Sequence, residues 1–196
     1  MVELQIVARG IKNPSIISSM LNVPRHLFIK DTYKEQAYFD EPLPLEDNQT
    51  ISQPYVTALM IELAYLNDTS KVLEIGTGSG YAAALLANIV SEIYTVELRE
   101  ALYESAQDLL KKMNYKNLYL KNGDGKLGWK SNSPYDAIIV SAASKSIPEM
   151  LVSQLKIGGK MIIPVGEIDQ ELICLSKNKM GFKTEKHGVV NFVPLI

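Results

Sequence analysis

Residues that most often carry chemistry are scarce in this chain. Its 196 positions include one cysteine, Cys174, and two histidines, His26 and His187. A lone cysteine excludes an intrachain disulfide framework and fits a reducing compartment, so a cytoplasmic location is expected. Cys174 lies in an apolar late segment and reads as a core residue rather than a nucleophile. No His/Cys cluster has the spacing of metal ligands, so no metal site is expected. Neither histidine sits in a motif, and both read as structural or exposed. An excess of one charge is also missing. Twenty Lys and Arg stand against 22 Asp and Glu, a net −2. That balance gives no general pull toward nucleic acid or an anionic membrane, and neither is expected as a partner. No stretch approaches the roughly 20 apolar residues that span a bilayer. The opening residues, MVELQIVARGIKNP, carry charges throughout and lack the apolar core of a signal peptide. Internal repeats and low-complexity tracts are absent.

What is present is the material of a globular protein. Hydrophobic residues make up 46% and charged residues 21%, enough for a real core. The length fits one domain, which we divide into an N-terminal helical cap and substrate loop (1–66) and an α/β core (67–196). The cap reads mainly helical. Leu4, Ile6, Val7 and Ile11 give a loose apolar face with Gly10 as a stop. Asn13-Pro14-Ser15 starts a helix with Ile16, Ile17, Met20 and Leu21 at helical spacing, and Pro24 ends it. Residues 38–49 (YFDEPLPLEDNQ) are acidic and proline-broken and read as a loop. A helix follows over 54–66.

The pattern changes at Lys71. Strands are predicted at 72–75, 93–97, 117–121, 137–141, 160–165 and 171–176. Helices fall between them at YAAALLANIV, REALYESAQDLLKKM and IPEMLVSQL. Alternation of this kind implies right-handed crossovers, hence a doubly wound, mostly parallel sheet with helices on both faces. The last two strands read as a hairpin, which gives an antiparallel edge. The chain closes on a short extended piece, VVNFVPLI. Lys111-Lys112 closes a helix, where cations favour the dipole.

The most informative stretch is VLEIGTGSGY, residues 72–81. A buried strand runs into Gly76, Thr77, Gly78, Ser79 and Gly80, and a helix follows. Such glycines permit a tight turn and close approach of backbone to a ligand at a helix N-terminus. Glu97 closes the next strand, where a carboxylate accepts hydrogen bonds from ribose hydroxyls. A dinucleotide fingerprint needs G-x-G-x-x-G, and from Gly76 the third glycine position is Tyr81. Glu74 beside the loop is poor company for a pyrophosphate and good company for a cation. S-adenosyl-L-methionine carries a sulfonium and an ammonium and no phosphate, so it is favoured over a dinucleotide. Asn122-Gly123-Asp124-Gly125 follows the third strand. Asp124 there reads either as a turn residue or as an acceptor for the adenine amino group.

Residues 48–55, Asn-Gln-Thr-Ile-Ser-Gln-Pro-Tyr, gather amides and hydroxyls before an apolar helix. Part of this is capping, with Thr50 or Ser52 as the N-cap and Pro54 in the first turn. Capping leaves most of the cluster unexplained.

NQTISQPY, VLEIGTGSGYAAALLA, NGDG, PYDAIIVSAA and QLKIGGKMIIPVG together resemble the protein-L-isoaspartate O-methyltransferase family. So do GIKNPSIISSMLNVPRHLFI near the start and VVNFVPL at the end, so the resemblance covers essentially the whole chain. It implies a Rossmann-like class I methyltransferase fold. It implies methyl transfer from S-adenosylmethionine to the α-carboxylate of isoaspartyl residues in aged proteins, with repair through a succinimide. Ser52 matches the family's active-site serine. Thr50, Ile51 and Gln53 flank it as substrate contacts. Leu45 and Asn48, Glu74 to Gly80, Glu97 with Leu98, and Asp124 with Gly125 match the cofactor site. The sequence departs from the family before QTISQP, where Glu46-Asp47-Asn48 stands in a loop usually rich in glycine.

The chemistry agrees with these residue types. A carboxylate acceptor, with an unperturbed pKa of about 3.9, needs no general base. It needs placement and the removal of water. Neutral donors such as Thr50, Ser52 and Gln53 orient it without a competing charge. The segment after the fourth strand, Ser141-Ala142-Ala143-Ser144, lacks the Asn-Pro-Pro-Tyr-like motif of amino-methylating DNA enzymes. Alternatives on the same fold are a small-molecule or RNA methyltransferase, or a non-catalytic S-adenosylmethionine sensor. The acceptor expected here is an isoaspartyl protein or peptide, and the protein is expected to act as a monomer.

Overall fold

The N-terminal third is less regular than its apolar spacing predicts. A computed structural model describes residues 1–196. A π-helical turn, Val2–Ile6, passes into a 3-10 turn, Val7–Arg9, which Gly10 ends with φ 100°. Ile6 and Ile11 are buried, but Leu4 is 81% exposed, so only half of the expected face packs. Helix α1 spans Pro14–Asn22. Asn13 caps it by accepting from the Ser15 N–H at 2.9 Å, and Pro14 takes the first turn, where a missing N–H costs nothing. Two 3-10 segments follow, Arg25–Phe28 and Asp31–Gln36.

The predicted loop at 38–49 contains one arm of a small hairpin. Strand β1 (Leu43–Pro44) pairs antiparallel with β2 (Thr50–Ile51), through Leu43 opposite Ile51 and Pro44 opposite Thr50. The tip bears the Glu46-Asp47-Asn48 departure. Asp47 (φ 53°) and Asn48 (φ 55°) are both left-handed. Asp and Asn are the non-glycine residues that tolerate this region, so they do here what glycine does elsewhere. The Leu45 N–H donates to Gln49 O at 2.8 Å and closes the loop.

Helix α2 (Pro54–Leu63) begins with Pro54 in its first turn, as expected, but neither Thr50 nor Ser52 caps it. The cap comes from a distant residue: Asp40 Oδ1 accepts from the Tyr55 N–H at 2.9 Å.

From Lys71 the structure follows the predicted alternation. Strands β3 (Lys71–Ile75), β4 (Glu92–Glu97), β5 (Leu118–Asn122), β6 (Tyr135–Val140), β7 (Leu155–Val165), β8 (Gln170–Asn178) and β9 (Gly181–Val190) form one sheet of seven, in the order β5-β4-β3-β6-β7-β8-β9. The pairs among β3, β4, β5, β6 and β7 are parallel, and β7-β8-β9 is antiparallel. Helices α3 (Tyr81–Ala87), α4 (Glu100–Lys112) and α5 (Glu149–Ser153) are the crossovers. The sheet alternates between two apolar faces. Val72, Ile93, Ala137 and Ile139 belong to the larger core, which α1 to α4 cover. Leu73, Tyr94, Ile138 and Met161 belong to a smaller core under α5. Strands buried on both faces read as unbroken apolar runs, which is why VLEI and AIIV stand out in the sequence.

One prediction needs correction and another is extended. The helix expected through Val90 ends at Ala87, and Ile89 and Val90 are buried in the turn into β4. The expected antiparallel hairpin is there as β7–β8, but a third strand, β9, extends it to a meander. Strand β9, GFKTEKHGVV, is almost entirely exposed, so it lacks the apolar signal that marks the other strands. Its lysines suit an edge strand, where charge discourages further pairing. Cys174 lies buried on β8 as expected, and burial pushes its thiol pKa up.

Candidate active site

The sheet order reverses at β3, with β4 on one side and β6 on the other. In open α/β sheets ligands collect in the crevice at the carboxyl ends of strands flanking such a point. An open cleft lies there. Its floor is Glu74 to Ser79 after β3, Val96 to Arg99 after β4, and Ser141 and Ala142 after β6. One side is Gln49 to Ser52 from the hairpin, with Thr57, Met60 and Ile61 from α2. The tail, Val193 to Ile196, forms another side.

Backbone geometry builds the cofactor side. Gly76 (φ 87°), Gly78 (φ 54°) and Gly80 (φ 86°) are all left-handed, which lets the chain leave β3 and turn into α3 within five residues. The Gly76 N–H bonds to Val96 O at 2.9 Å, tying the turn to β4. Glu97 Oε2 accepts from the Gly78 N–H at 2.8 Å, and its Oε1 accepts from the Arg99 N–H at 2.9 Å. This carboxylate is fixed from both sides at the edge of the cleft. Gly125 packs so closely on β3 that a Cβ there would meet Ile75 Cγ2 at 2.4 Å.

Glu74 is fully buried on the cleft floor. Its Oε2 accepts from Thr95 Oγ1 at 2.5 Å. The Thr95 proton is thereby committed, so Thr77 Oγ1, 2.6 Å away, donates to Thr95. The other oxygen, Oε1, is buried and has no partner. Burial pushes the Glu74 carboxyl up to about 8, with Glu97 adding to it and the Thr95 hydrogen bond opposing. A buried orphan acceptor of this kind fits a cationic donor. Together with the fixed Glu97 and the glycine turn, it fits an amino-acid nucleoside with a positive charge better than a pyrophosphate.

Side chains from distant segments hold the acceptor side. Arg25, fully buried, donates from Nη2 to Ser52 O at 3.0 Å. Asp40 Oδ2 accepts from Gln53 Nε2 at 2.7 Å and also pairs with Arg9. The tail docks on the chain after β6: the Ala143 N–H donates to Val193 O at 2.8 Å, and the Leu195 N–H to Ala143 O at 2.7 Å.

Eleven of the sequence-predicted site residues line the cleft: Thr50, Ile51, Ser52, Glu74, Gly76, Thr77, Gly78, Ser79, Glu97, Leu98 and Gly125. Five do not. Gln53 is turned to Asp40. Asn48 is exposed at the hairpin tip. Leu45 is buried, with Cδ1 3.7 Å from where a Cβ of Gly78 would stand, so it supports the glycine turn from behind. Gly80 precedes α3 and backs onto Leu110. Asp124 caps the 3-10 turn Gly125–Leu127 by accepting from the Lys126 N–H at 2.8 Å, the turn role its dipeptide allows. Sequence reasoning missed Thr95, Arg25, Asp40, Tyr81, Ser141 and the tail's place in the cleft. Arg25 carried a signal as a cation in the apolar run around Phe28, and VVNFVPL marked the tail.

Comparison with known proteins agrees with this geometry. Residues 1–196 match the family described as Protein-L-isoaspartate(D-aspartate) O-methyltransferase (PCMT). The chain is 47% identical over 195 residues to a Protein-L-isoaspartate O-methyltransferase of Picosynechococcus sp., covering 100% of this chain and 88% of that one. It superposes with a TM-score of 0.90 at 28% identity on a solved protein-L-isoaspartate O-methyltransferase, covering 99% of this chain and 65% of that one. A second solved structure, from Plasmodium falciparum, gives a TM-score of 0.85 at 26% identity over 100% of this chain and 96% of that one. It is described as a putative member of the same family in complex with S-adenosyl-L-homocysteine.

Proposed function

The chain belongs to the protein-L-isoaspartate(D-aspartate) O-methyltransferase family, and we propose the division of labour by which its residues perform that reaction. It is an S-adenosylmethionine-dependent methyltransferase that acts on the α-carboxylate of L-isoaspartyl residues in damaged proteins. The ester then closes to a succinimide, whose hydrolysis returns part of the material to aspartate. One observation carries the assignment of residues. Ser52 with its neighbours and the Glu74–Glu97 carboxylate pair line the same cleft from different sides.

S-adenosylmethionine, when bound, supplies an electrophilic methyl group on a sulfonium. Glu97 would take the ribose hydroxyls, since the Gly78 and Arg99 amides already fix both its oxygens. Glu74 Oε1 would accept from the ammonium group. The glycine turn keeps side chains out of the space the ligand needs. On the acceptor side Thr50 and Ser52 offer neutral donors to a carboxylate that is ionised without help. No base is required, and the protein contributes placement. Placing two reactants in line is worth several powers of ten in effective concentration. Met60 and Ile61 from α2 give that side of the cleft apolar walls. Opposite charges that cancel on transfer gain from a site with little water.

The finer features of the reading are these. The protein acts as a monomer in the cytoplasm, a setting that suits its single buried free thiol. No helix is long and apolar enough to cross a membrane. The acceptor is a polypeptide rather than a nucleic acid, in keeping with the net charge of −2.

The test uses two synthetic peptides, identical except that one carries isoaspartate and the other aspartate. Methyl ester is trapped at mildly acidic pH and detected by mass. Labelling of the isoaspartyl peptide alone is expected. Labelling of neither, with cofactor binding intact by calorimetry, would overturn the acceptor assignment.

A further inference from the structure

We propose that Arg25 is the positioning residue of the acceptor loop, a role that rests on the function just described. Arg25 follows α1 and is 0% exposed. Its guanidinium reaches three carbonyls, two in the connection that precedes β1 and one just after β2. Nη1 donates to Ala37 O at 2.7 Å, and Nη2 donates to Ser52 O at 3.0 Å and to Glu41 O at 3.3 Å. Its charge centre lies 5.8 Å from the ring centroid of Tyr81, which lines the cleft at the start of α3. One side chain therefore bonds the acceptor loop and lies over an aromatic ring that lines the cleft.

Structure alone does not call for a cation here. Burying a charge is costly, and an apolar residue of similar volume often serves a fold as well or better. No carboxylate bonds the guanidinium directly. Burial is the leading influence on its pKa and lowers it, with Asp40 and Glu41 among the groups that oppose the shift. What arginine offers, and lysine or methionine does not, is a rigid planar fork of donors that serves several acceptors in fixed directions. The acceptors it serves include the backbone of Ser52.

Asp40 completes the bracket. It holds the Gln53 side chain through Oδ2 and the Tyr55 N–H through Oδ1. Ser52 is thus pinned at its carbonyl by Arg25, and the two sides of the following turn are pinned by Asp40. The hairpin that carries Ser52 has only two residue pairs, too few to fix a loop by itself. A misplacement of about 1 Å at a reacting group costs on the order of 100-fold in rate, even when the change lies away from the chemistry. Arg25 touches no reacting atom. It acts by keeping Ser52 within that tolerance.

The experiment compares Arg25→Met and Arg25→Lys with wild type. Three quantities are read: the Kd for S-adenosylhomocysteine by calorimetry, kcat and KM on the isoaspartyl peptide, and amide hydrogen exchange without substrate. For Arg25→Met the expected kcat falls on the order of 100-fold, while the Kd stays within about twofold, because the bonds among Gly76, Gly78, Val96 and Glu97 are untouched. Exchange at Ile51 to Gln53 accelerates, and exchange at Leu73 to Ile75 does not. Arg25→Lys behaves like Arg25→Met in kcat, because a point charge cannot replace the fork. Retention of kcat within threefold in the Met variant would overturn the proposal. So would a Kd that weakens in step with kcat, which would make Arg25 a support of the whole fold. If the Met variant does not fold, the same split in the Lys variant decides. If wild type fails to label the isoaspartyl peptide, the reading of function has failed instead. Hydrogen exchange then decides the positioning role alone.

Discussion

The two walls of the cleft are made by different means. The cofactor wall is the end of a seven-stranded sheet, and β3 and β4 align it through five consecutive residue pairs. Its key contacts are backbone amides meeting Glu97 and a glycine turn meeting β4. The acceptor wall is the end of a hairpin with two pairs, held by side chains reaching in from residues 25 and 40. Strand pairing is cooperative and rigid. The acceptor wall hangs instead on a few hydrogen bonds to charged side chains, each worth about 1.5–3 kcal/mol.

The contrast predicts a double dissociation, the largest effect expected. Glu97→Ala leaves the Gly78 and Arg99 amides without their acceptor and removes the ribose contact. Cofactor affinity by calorimetry should fall about 100-fold or more, at 1.5–3 kcal/mol for each hydrogen bond to a charged group. Ser52→Ala should leave that affinity within about twofold while kcat drops at least tenfold, as expected when an orienting group is lost. If both variants lose affinity equally, the walls are not independent.

Glu74 sharpens the comparison through pH. Its carboxyl is raised in the folded protein, to about 8 from 4.5. A raised carboxyl contributes stability that is fully present below its unfolded pKa and is lost as pH rises through the folded one. The ligand-free protein should therefore lose stability from this group between about pH 4.5 and 8. A cation placed at Oε1 favours the ionised form, so binding at pH 7 should release close to one proton. Calorimetry in buffers of differing ionisation enthalpy measures this, and Glu74→Gln should abolish it. No release in wild type would place the ligand's positive charge elsewhere.

Asp40 tests the tethered wall. Asp40→Ala removes the remote cap of α2 and the Gln53 anchor. Caps of this type are worth about 1 kcal/mol, so a loss of about 1–2 kcal/mol is expected by urea denaturation. The smallest effect lies at the hairpin tip. Asn48→Gly should change stability by no more than about 0.5 kcal/mol, because glycine accepts φ 55° at least as readily as asparagine. Asn48→Val should destabilise clearly, since a β-branched residue resists that conformation.

The same division governs what could be read from the sequence. Strands buried on both faces announce themselves as apolar runs, and a glycine turn between strand and helix is a local pattern. Hence β3, the turn after it and Glu97 were legible, and so was the sheet as far as β8. Strand β9 was not, because an exposed edge has no apolar alternation. The Thr77–Thr95–Glu74 chain was hidden because Thr95 stands opposite Glu74 only through strand register. Asp40 is one of several acids in a proline-broken segment, and nothing nearby marks it as the cap of a helix fourteen residues on. Asn13 was readable as a cap because it precedes the helix it caps. That Gln53 bonds Asp40 was hidden for the converse reason, since that partner lies thirteen residues upstream.

One contact at the end of β4 bears on the lifetime of the protein itself. Asn122-Gly123 is its sole Asn-Gly pair, a dipeptide whose asparagine is prone to deamidation. Loss of ammonia requires the glycine nitrogen to swing onto the side-chain carbon. Here the Gly123 N–H is held by Glu97 O at 2.9 Å, and the Asn122 amide by the same oxygen at 3.1 Å. The residue that would grip the ribose with its carboxylate thus restrains, with its carbonyl, the weakest link in the chain. Peptide mapping of aged samples should find slower conversion at Asn122 with S-adenosylhomocysteine bound than without it. A repair enzyme starved of its methyl donor would then accumulate in itself the lesion it exists to reverse.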